Sequence, residues 1–257
     1  MKIQELFDLR GRVAIVTGGG KGIGLKMAEG LAEAGADIVL CSRKIENCQQ
    51  AAAEISRLGV KTLARKCDVK SAGDVQKVVD DTVKEFGRID VLVNNSGANW
   101  GAAPEDYPLE GWNKVMETNM TGAFLFSQAA GRVMIRQRQG NIINIASIMG
   151  VIGMEGDAAD AIAYSASKGA LITFTKDLAA KWAKHNIRVN AIAPGWFPTD
   201  MSRWVLENQG AKLNAHIPMR RFGEGDELKG ATVFLASAAA SYVTGAVLPV
   251  DGGYLSV

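Results

Sequence analysis

Short runs of apolar residues alternate along the chain with longer stretches in which apolar residues recur every three or four positions. The short runs are rich in β-branched residues and do not alternate between polar and apolar positions, which predicts strands buried on both faces. The longer stretches have the period of amphipathic helices. The predicted strands cover residues 13–17, 37–41, 62–67, 91–93, 142–146, 187–192 and 246–250.

Strands separated by helices are typical of a parallel sheet with right-handed crossovers. We therefore expect an α/β protein with a single doubly wound domain over residues 1–257, in which helices flank a seven-stranded parallel sheet. Three irregular stretches follow predicted strands and should lie at the carboxyl edge of the sheet, where such folds bind ligands. These predicted substrate loops cover residues 98–106, 148–160 and 195–225. The predicted helices cover residues 23–34, 45–58, 75–86, 120–135, 161–183 and 231–235.

Composition and charge narrow the class of protein. With 47% hydrophobic and 22% charged residues, the chain is typical of a globular protein, and a net charge of +2 gives no electrostatic basis for binding nucleic acid. The charged N-terminal segment lacks the apolar core of a secretion signal, and no apolar run is long enough for a membrane span, so we expect a cytoplasmic location. Cys41, Cys48 and Cys67 have no metal-ligand spacing, so we expect free thiols and no metal site.

Residues 17–24 read TGGGKGIG and join the first predicted strand to the first long helix. Glycines allow a tight turn and a close approach of the backbone to a pyrophosphate, while the helix N-terminus supplies free N–H groups. This strand–turn–helix context predicts a dinucleotide site, although the spacing differs from the common G-x-G-x-x-G pattern. The predicted contacts are Gly18, Gly20, Lys21, Gly22, Ile23 and Gly24.

The end of the second predicted strand indicates which dinucleotide is bound. It reads Cys41-Ser42-Arg43, where an NAD-binding protein normally has an acidic residue for the ribose 2′-hydroxyl. Ser42 and Arg43 could instead hold a 2′-phosphate, with Lys21 adding charge, because arginine matches phosphate geometry. The alternative is a solvated arginine at the start of the next helix. We predict NADP as the cofactor.

Polar residues also follow the third and fourth predicted strands. Asp68 either accepts a hydrogen bond from the adenine amino group or caps the next turn. Asn94 is placed where its amide can tie adjacent strands together, and Gly97 allows close approach of the cofactor. The neighbouring Val69 and Asn95 complete the predicted cofactor contacts in this region.

Candidate chemistry centres on Tyr164 and Lys168, which lie four residues apart on a predicted helix and therefore share one face. A free tyrosine has a pKa of about 10, and a nearby ammonium group favours the phenolate, so we expect Lys168 to lower the pKa of Tyr164. Ser147 follows the fifth strand and could hydrogen-bond a substrate oxygen as charge develops on it. Asn119 could hold a water that relays protons to Lys168. Tyr164 is the predicted proton donor.

Taken in order along the chain, these motifs resemble those of a classical short-chain dehydrogenase/reductase over essentially the full length. The motifs are TGGGKGIG, NNSG, the Asn119 segment, Ser147, YSASK and Pro194-Gly195. The resemblance implies a Rossmann fold and hydride transfer between a nicotinamide and a carbonyl or alcohol carbon. It places the catalytic tetrad of that family on Asn119, Ser147, Tyr164 and Lys168, the last two also contacting the cofactor.

The resemblance carries further implications for the site and the assembly. Pro194-Gly195 matches the turn beside the nicotinamide, and Thr199 matches a residue that reaches its carboxamide. The family pairs subunits through the two helices that carry Phe124, Phe126, Ile172 and Phe174 here, so a homotetramer is expected. Two departures stand out: NNSG replaces the commoner NNAG, and the segment between Ser147 and Tyr164 is a few residues longer than usual.

Two subgroups of the family resemble this chain most, the bacterial 3-oxoacyl reductases and the gluconate 5-dehydrogenases. Large apolar residues in the predicted loops favour an apolar substrate, so we expect a small-molecule carbonyl that is a 3-oxoacyl thioester. A sugar acid or polyol would need polar partners, which Glu155, Asp157 and Asp160 provide unless they are simply solvated. A cyclic ketone or alcohol is a further alternative, and a non-catalytic NADP-sensing scaffold is the alternative of another class. The predicted substrate contacts are Ser147, Met149, Trp100, Trp196 and Trp204.

A thioester substrate on an acidic carrier protein would be steered by basic residues near the mouth of the site. Basic residues do cluster where two predicted helices end. One interpretation assigns them to a carrier protein, and the other to the helix dipole, which favours cations at helix C-termini. The residues are Arg132, Arg136, Arg138, Lys181, Lys184 and His185.

Overall fold

A parallel sheet forms the centre of the computed structural model, which describes residues 2–154 and 160–257. Its strands are β1 Val13–Thr17, β2 Asp37–Ser42, β3 Thr62–Lys66, β4 Val91–Asn94, β5 Gly140–Ile145, β6 Ile187–Pro194 and β7 Val247–Val250. They lie in the order β3-β2-β1-β4-β5-β6-β7, and every neighbouring pair is parallel. The predicted doubly wound α/β fold with seven strands is therefore confirmed.

Helices cover both faces of this sheet. They are α1 Ile3–Leu6, α2 Gly22–Glu33, α3 Ile45–Ile55, α4 Ala72–Phe86, α5 Leu109–Met116, α6 Gly122–Gln137, α7 Ile162–Trp182, α8 Arg203–His216 and α9 Glu227–Ala236. Helices α2, α3 and α9 lie on one face, and α4, α6 and α7 lie on the other. A π-helical turn, Glu117–Thr121, joins α5 to α6.

Burial on both faces explains why the strands lack an alternating pattern. Ala14 and Val16 of β1 pack into the core under α2, α3 and α9, whereas Val13 and Ile15 pack into the core under α4 and α6. All five residues of β1 are buried. Because successive side chains of a strand point to opposite faces, a strand with a core on each side needs apolar residues at every position.

Three helices, the four-residue α1 and the longer α5 and α8, are absent from the sequence prediction. Helix α8 lies within 195–225, which was expected to be irregular, and its only buried residue is Leu213. Helix α5 buries Gly111 and Val115 alone. A helix with so narrow a buried stripe lacks the repeating apolar pattern from which helices are predicted. Helix α9 is also longer than predicted, since it begins at Glu227 rather than at residue 231.

The basic residues at the helix ends lie away from the substrate loops. Helix α6 ends at Gln137 just before β5, and the side-chain amide of Asn186, before β6, donates to the carbonyl of Arg138 (3.1 Å). Both helix ends therefore lie at the amino edge of the sheet. Helix α7 has 21 residues, so its end lies about 30 Å from Tyr164 at its start. For the cleft of the same chain this position favours the helix-dipole interpretation of these residues over the carrier-protein one.

Three further features concern the described residues. Cys41, Cys48 and Cys67 are buried, free thiols. No cluster of His, Cys, Asp or Glu within residues 2–154 and 160–257 is suited to hold a metal ion. None of the helices in these two ranges combines the length and the apolar character that crossing a membrane requires.

Candidate active site

A cleft of about 1700 Å³ opens at the carboxyl edge of the sheet, between the turns and loops that follow β1 to β6. This volume exceeds that of a typical site for one small ligand, and it suits a dinucleotide together with a second molecule. Among the predicted site residues, only Asn119 and Trp204 are absent from its described walls. Those that line it are Gly18, Gly20, Lys21, Gly22, Ile23, Gly24, Ser42, Arg43, Asp68, Val69, Asn95, Gly97, Trp100, Ser147, Met149, Tyr164, Lys168, Pro194, Gly195, Trp196 and Thr199.

The glycine turn after β1 has the shape of a phosphate cradle. Gly18 and Gly22 have φ values of 64° and 58°, a region that favours glycine. A Cβ atom at Gly24 would lie 2.3 Å from the side-chain nitrogen of Asn95, so no larger residue fits there without a shift. No side chain caps the N-terminus of α2, which leaves its first N–H groups for a ligand. These residues fit the pyrophosphate of a dinucleotide.

Asn95 contributes to this cradle indirectly. Its side-chain amide donates to the carbonyl of Thr17 (2.9 Å) and to that of Gly18 (3.3 Å). The hydroxyl of Thr17 in turn accepts hydrogen bonds from the backbone N–H groups of Asn95 and Ser96 (both 3.0 Å). The end of β4 therefore braces the glycine turn, and the Asn95 side chain is committed to that task.

The cleft wall after β2 is basic, with no acidic residue at the strand end. Arg43 is exposed there and has no hydrogen-bond or ion-pair partner among the described residues. The Ser42 hydroxyl donates to the carbonyl of Lys44 (2.8 Å) and accepts from the thiol of Cys48 (3.2 Å), so it shapes the turn. Lys21 reaches across the mouth of the cleft to Asp200, with 2.6 Å between Nζ and the carboxylate oxygen.

Asp68 and Asn94, the two remaining polar residues predicted at strand ends, both form hydrogen bonds within the chain. One carboxylate oxygen of Asp68 accepts the backbone N–H of Lys70 (3.0 Å), so the turn-capping alternative is present, although Asp68 also lines the cleft. The side-chain amide of Asn94 donates to Asn144 of β5 (2.8 Å), which confirms that it ties two strands together.

Tyr164, Lys168 and Ser147 meet at the centre of the cleft. Tyr164 and Lys168 lie one turn apart on α7, and Lys168 Nζ is 5.4 Å from the centre of the Tyr164 ring. Lys168 is almost fully buried, and its Nζ donates to the carbonyl of Ile145 at the end of β5 (2.6 Å). The Ser147 hydroxyl accepts the N–H of Met149 (3.2 Å), which fixes the turn that carries it.

The electrostatics of this group differ from the sequence prediction. Burial lowers the pKa of Lys168 to about 8. Burial raises the pKa of Tyr164 above its ordinary value, and a hydrogen bond with Ser147 acts in the opposite direction. The net shift of the Tyr164 pKa is therefore upward rather than downward as expected, because desolvation of the phenol outweighs the hydrogen bond that opposes it.

Asn119 lies behind this group, in the π-helical turn, and is buried. Its amide nitrogen donates to Ser167 Oγ (2.9 Å) and to the carbonyl of Ala98 (3.0 Å), while its oxygen accepts the Ala98 N–H (2.7 Å). Ser167 donates onward to the carbonyl of Tyr164 (2.7 Å). The side chain thus clamps the loop after β4 to α7, and a water relay through Asn119 stays a prediction.

The substrate end of the cleft has large apolar walls. Trp100, Met149 and Trp196 line it as predicted, whereas Trp204 is 69% exposed and does not reach the described walls. The indole N–H of Trp196 is buried without a partner among the described residues. Glu155 and Asp157 lie outside the described residues, and Asp160 is exposed. Further apolar residues of this wall are Ile148, Phe197, Met201, Leu206 and Phe222.

Several contributors to the site were not predicted from the sequence. The carbonyl of Ile145 that holds Lys168 and the bonds of Ser167 to Asn119 and Tyr164 depend on how the chain packs. Asp200 meets Lys21 from 179 positions away. Only Ser167 gave a local signal, since it adjoins Lys168 in the YSASK motif.

Comparison with known proteins places this site in a family. A family model described as enoyl-(acyl carrier protein) reductase matches residues 18–255. The rhamnolipid-biosynthesis 3-oxoacyl-[acyl-carrier-protein] reductase of Pseudomonas aeruginosa is 39% identical over 254 residues, covering 96% of this chain and 98% of that protein.

Solved structures agree closely with the fold. A short-chain type dehydrogenase/reductase from Mycobacterium marinum has a TM-score of 0.94 and 39% identity over 98% of this chain and 99% of that chain. A gluconate 5-dehydrogenase from Burkholderia cenocepacia, determined in complex with NADP and tartrate, has a TM-score of 0.94 and 37% identity over 100% of both chains. The chain therefore belongs to the short-chain dehydrogenase/reductase family of oxidoreductases, which act on alcohols and ketones with NAD or NADP.

Proposed function

We propose that this chain reduces 3-oxoacyl thioesters to the corresponding secondary alcohols with NADPH. The observation that carries the proposal is the apolar wall around Tyr164, formed by Trp100, Met149 and Trp196. An acyl chain gains free energy when it leaves water for such a wall, whereas the hydroxyl groups of a sugar acid would lose hydrogen bonds there.

The choice of NADPH rests on the wall after β2. Arg43 has no partner within the described chain and lines the cleft with Lys44, where a carboxylate would otherwise bind the ribose hydroxyl of NAD. A 2′-phosphate would give Arg43 the anionic partner that it lacks among the described residues. The Burkholderia cenocepacia relative, which is described with NADP, supports this choice.

The proposed chemistry assigns one task to each central side chain. When bound, the dihydronicotinamide supplies the hydride for the carbonyl carbon. Tyr164, whose phenol is protonated at neutral pH, gives its proton to the carbonyl oxygen. Ser147 donates a hydrogen bond to the same oxygen as negative charge develops on it. Lys168, one turn away, positions Tyr164 and the cofactor ribose.

The second candidate function is oxidation or reduction of a sugar acid. The resemblance to gluconate 5-dehydrogenase over 100% of both chains favours it. The polar partners that such a substrate needs are those predicted from the sequence, Glu155, Asp157 and Asp160, of which the structure describes only the exposed Asp160. A non-catalytic scaffold is disfavoured, because Tyr164, Lys168 and Ser147 are all present and lie together.

A substrate screen tests these alternatives. NADPH oxidation is measured with acetoacetyl-CoA, 3-oxooctanoyl-CoA, 5-ketogluconate and cyclohexanone, with Tyr164→Phe as the inactive control. We expect the highest kcat/KM with the longer thioester. A higher kcat/KM with 5-ketogluconate would instead assign the chain to sugar acids. No turnover with any of the four substrates would support the non-catalytic scaffold.

A further inference from the structure

The indole of Trp100 rests directly on helix α5. A Cβ atom at Gly111 would lie 2.8 Å from Cγ and Cδ2 of the Trp100 ring, so the ring occupies the space that any larger residue would need. One turn further along, Nζ of Lys114 lies 4.8 Å from the centre of the same ring. Residues three apart share one face of a helix, so this face of α5 provides both a surface on which the indole packs and a cation that lies over its ring.

The backbone on both sides of Trp100 is also held. Tyr107 Oη donates to the carbonyl of Trp100 (2.9 Å). On one side Ala98 forms two hydrogen bonds with the Asn119 amide, and on the other the N–H of Ala102 donates to the carbonyl of Asp160 (3.1 Å). A loop that would otherwise be free to move is thus tied to the π-helical turn and to the second substrate loop.

Trp100 nevertheless lines the cleft beside Tyr164 and is only half-buried. A ring held in place by its own chain gives a ligand apolar contact without the entropic cost of ordering a mobile side chain. We propose that Trp100 is a specificity-determining residue that selects an extended apolar acyl chain, and that Gly111 and Lys114 are positioning residues that hold its indole against the cleft. This inference rests on the proposed function, since it names the part of the thioester that Trp100 contacts.

The first test displaces the ring without changing it. Gly111→Ala introduces a Cβ where the indole lies, whereas Gly230→Ala in α9 is a matched control with nothing within 4 Å of the new atom. We expect Gly111→Ala to lower kcat/KM for 3-oxooctanoyl-CoA about tenfold through KM, and to change acetoacetyl-CoA by about twofold at most, in line with the loss of one aromatic contact. The control should keep the wild-type ratio of the two values. Equal losses with both substrates would indicate general damage and overturn the proposal.

The second test separates the charge of Lys114 from its bulk. Lys114→Met keeps an apolar stem, and Lys114→Arg keeps a cation that can stack on the indole. We expect the long-to-short ratio to fall about threefold in Lys114→Met and to return in Lys114→Arg, because an exposed cation–π contact has a modest effect. A ratio that stays at the wild-type value in both Gly111→Ala and Lys114→Met would overturn the proposal.

A binding measurement keeps this inference distinct from the proposed function. Chains labelled with 5-fluorotryptophan are examined by fluorine NMR, and the Trp100 signal is assigned with Trp100→Phe. We expect octanoyl-CoA, which cannot be reduced as a ketone, to shift that signal in the wild type but to shift it less in Gly111→Ala. If no thioester is turned over while octanoyl-CoA still shifts the signal, the reaction assignment fails and the role of Trp100 stands. If octanoyl-CoA leaves the signal in place although thioesters are reduced, the role of Trp100 fails alone.

Discussion

Lys168 is a cation that the fold keeps out of water, with only 4% of its surface exposed. Among the described residues its one hydrogen bond runs to the carbonyl of Ile145, and no carboxylate neutralises it there. Burying such a group costs stability while it is charged, which is why its pKa falls to about 8. Burial raises the pKa of the neighbouring Tyr164, so this phenol keeps its proton. Both shifts have the same cause, since burial disfavours the charged form of each side chain.

The cost of burying Lys168 should appear in the pH dependence of unfolding. The pKa of Lys168 is about 8 in the folded chain against an ordinary value of 10.5, so between these values the unfolded chain binds more protons and stability rises with pH. Relative to Lys168→Met, the wild-type free energy of unfolding should increase by on the order of 2 kcal/mol from pH 7.5 to pH 10. Urea titrations at one protein concentration measure this increase in the free energy of unfolding. Parallel pH profiles for the two proteins would contradict the assignment.

Removing the phenolic proton should stop the reaction while sparing the cofactor site. In Tyr164→Phe the ring remains, so we expect the dissociation constant of NADPH to stay within about twofold while kcat falls at least about 100-fold. Stopped-flow and steady-state rates measure the loss, with Tyr242→Phe as a control at a fully exposed phenol that does not line the cleft. A loss of a few-fold in Tyr164→Phe would mean that another group protonates the substrate.

Cofactor preference should depend on Arg43. We expect NADPH to bind at least about tenfold more tightly than NADH, because charge-assisted bonds to phosphate are strong. Arg43→Ala should bring the two dissociation constants close together. The exposed Arg57, which does not line the cleft, is the matched control and its alanine variant should keep the preference. Isothermal titration calorimetry gives all six constants, and an unchanged ratio in Arg43→Ala would rule out this role.

At the scale of elements, what could be predicted from the sequence depended on how much each element buries. Strands such as β1, buried on both faces, were predicted to within a residue or two, and so was α7, although it presents apolar residues in several directions. Helix α8 buries only Leu213 and left no periodic pattern. The site residues on strand ends and on α7 were predictable because their motifs are local. The hydrogen bonds by which Asn119 joins the loop after β4 to α7 were not predictable, and neither was the packing of Trp100 on Gly111. Both depend on packing between distant segments.

The indole of Trp182, at the end of α7, packs against α6 at Gly131. A Cβ atom at Gly131 would lie 2.2 Å from the ring of Trp182, at the end of α7. Gly131→Ala should therefore force the indole out of its rotamer and lower the free energy of unfolding by about 1–3 kcal/mol. Because the contact lies far from Tyr164, kcat should remain near the wild-type value. Thermal unfolding measures the effect, with Gly73→Ala in α4 as the control; equal melting temperatures for both variants would disprove the packing argument.

At the scale of the whole molecule, apolar surface remains uncovered on adjoining helices. Leu109 of α5 is 71% exposed and Phe124 of α6 is 43% exposed, and Trp112 and Ile162 are exposed as well. Phe126, which the sequence assigned to the same surface, is instead fully buried in the core of its own chain. Exposed apolar groups of this size on neighbouring helices are typical of subunit contacts.

We expect the chain to form a homotetramer through this surface and a second one. Light scattering at micromolar concentration should give four times the chain mass of 27.3 kDa. Phe124→Arg should lower that mass, because a charge would be buried at the contact. Phe174→Arg, on α7, extends the test to the second predicted helix. A wild-type mass of one chain would refute the expectation.

The indoles in the cleft wall have a practical consequence. Trp100 and Trp196 line the same cleft that the glycine turn and Tyr164 face, whereas Trp204 is exposed outside it. A reduced nicotinamide absorbs light at the wavelengths where indole emits. Its arrival in the cleft would therefore quench the intrinsic emission of the protein by energy transfer. The chain thus carries its own optical probe, with which ligand occupancy can be followed in real time without a label.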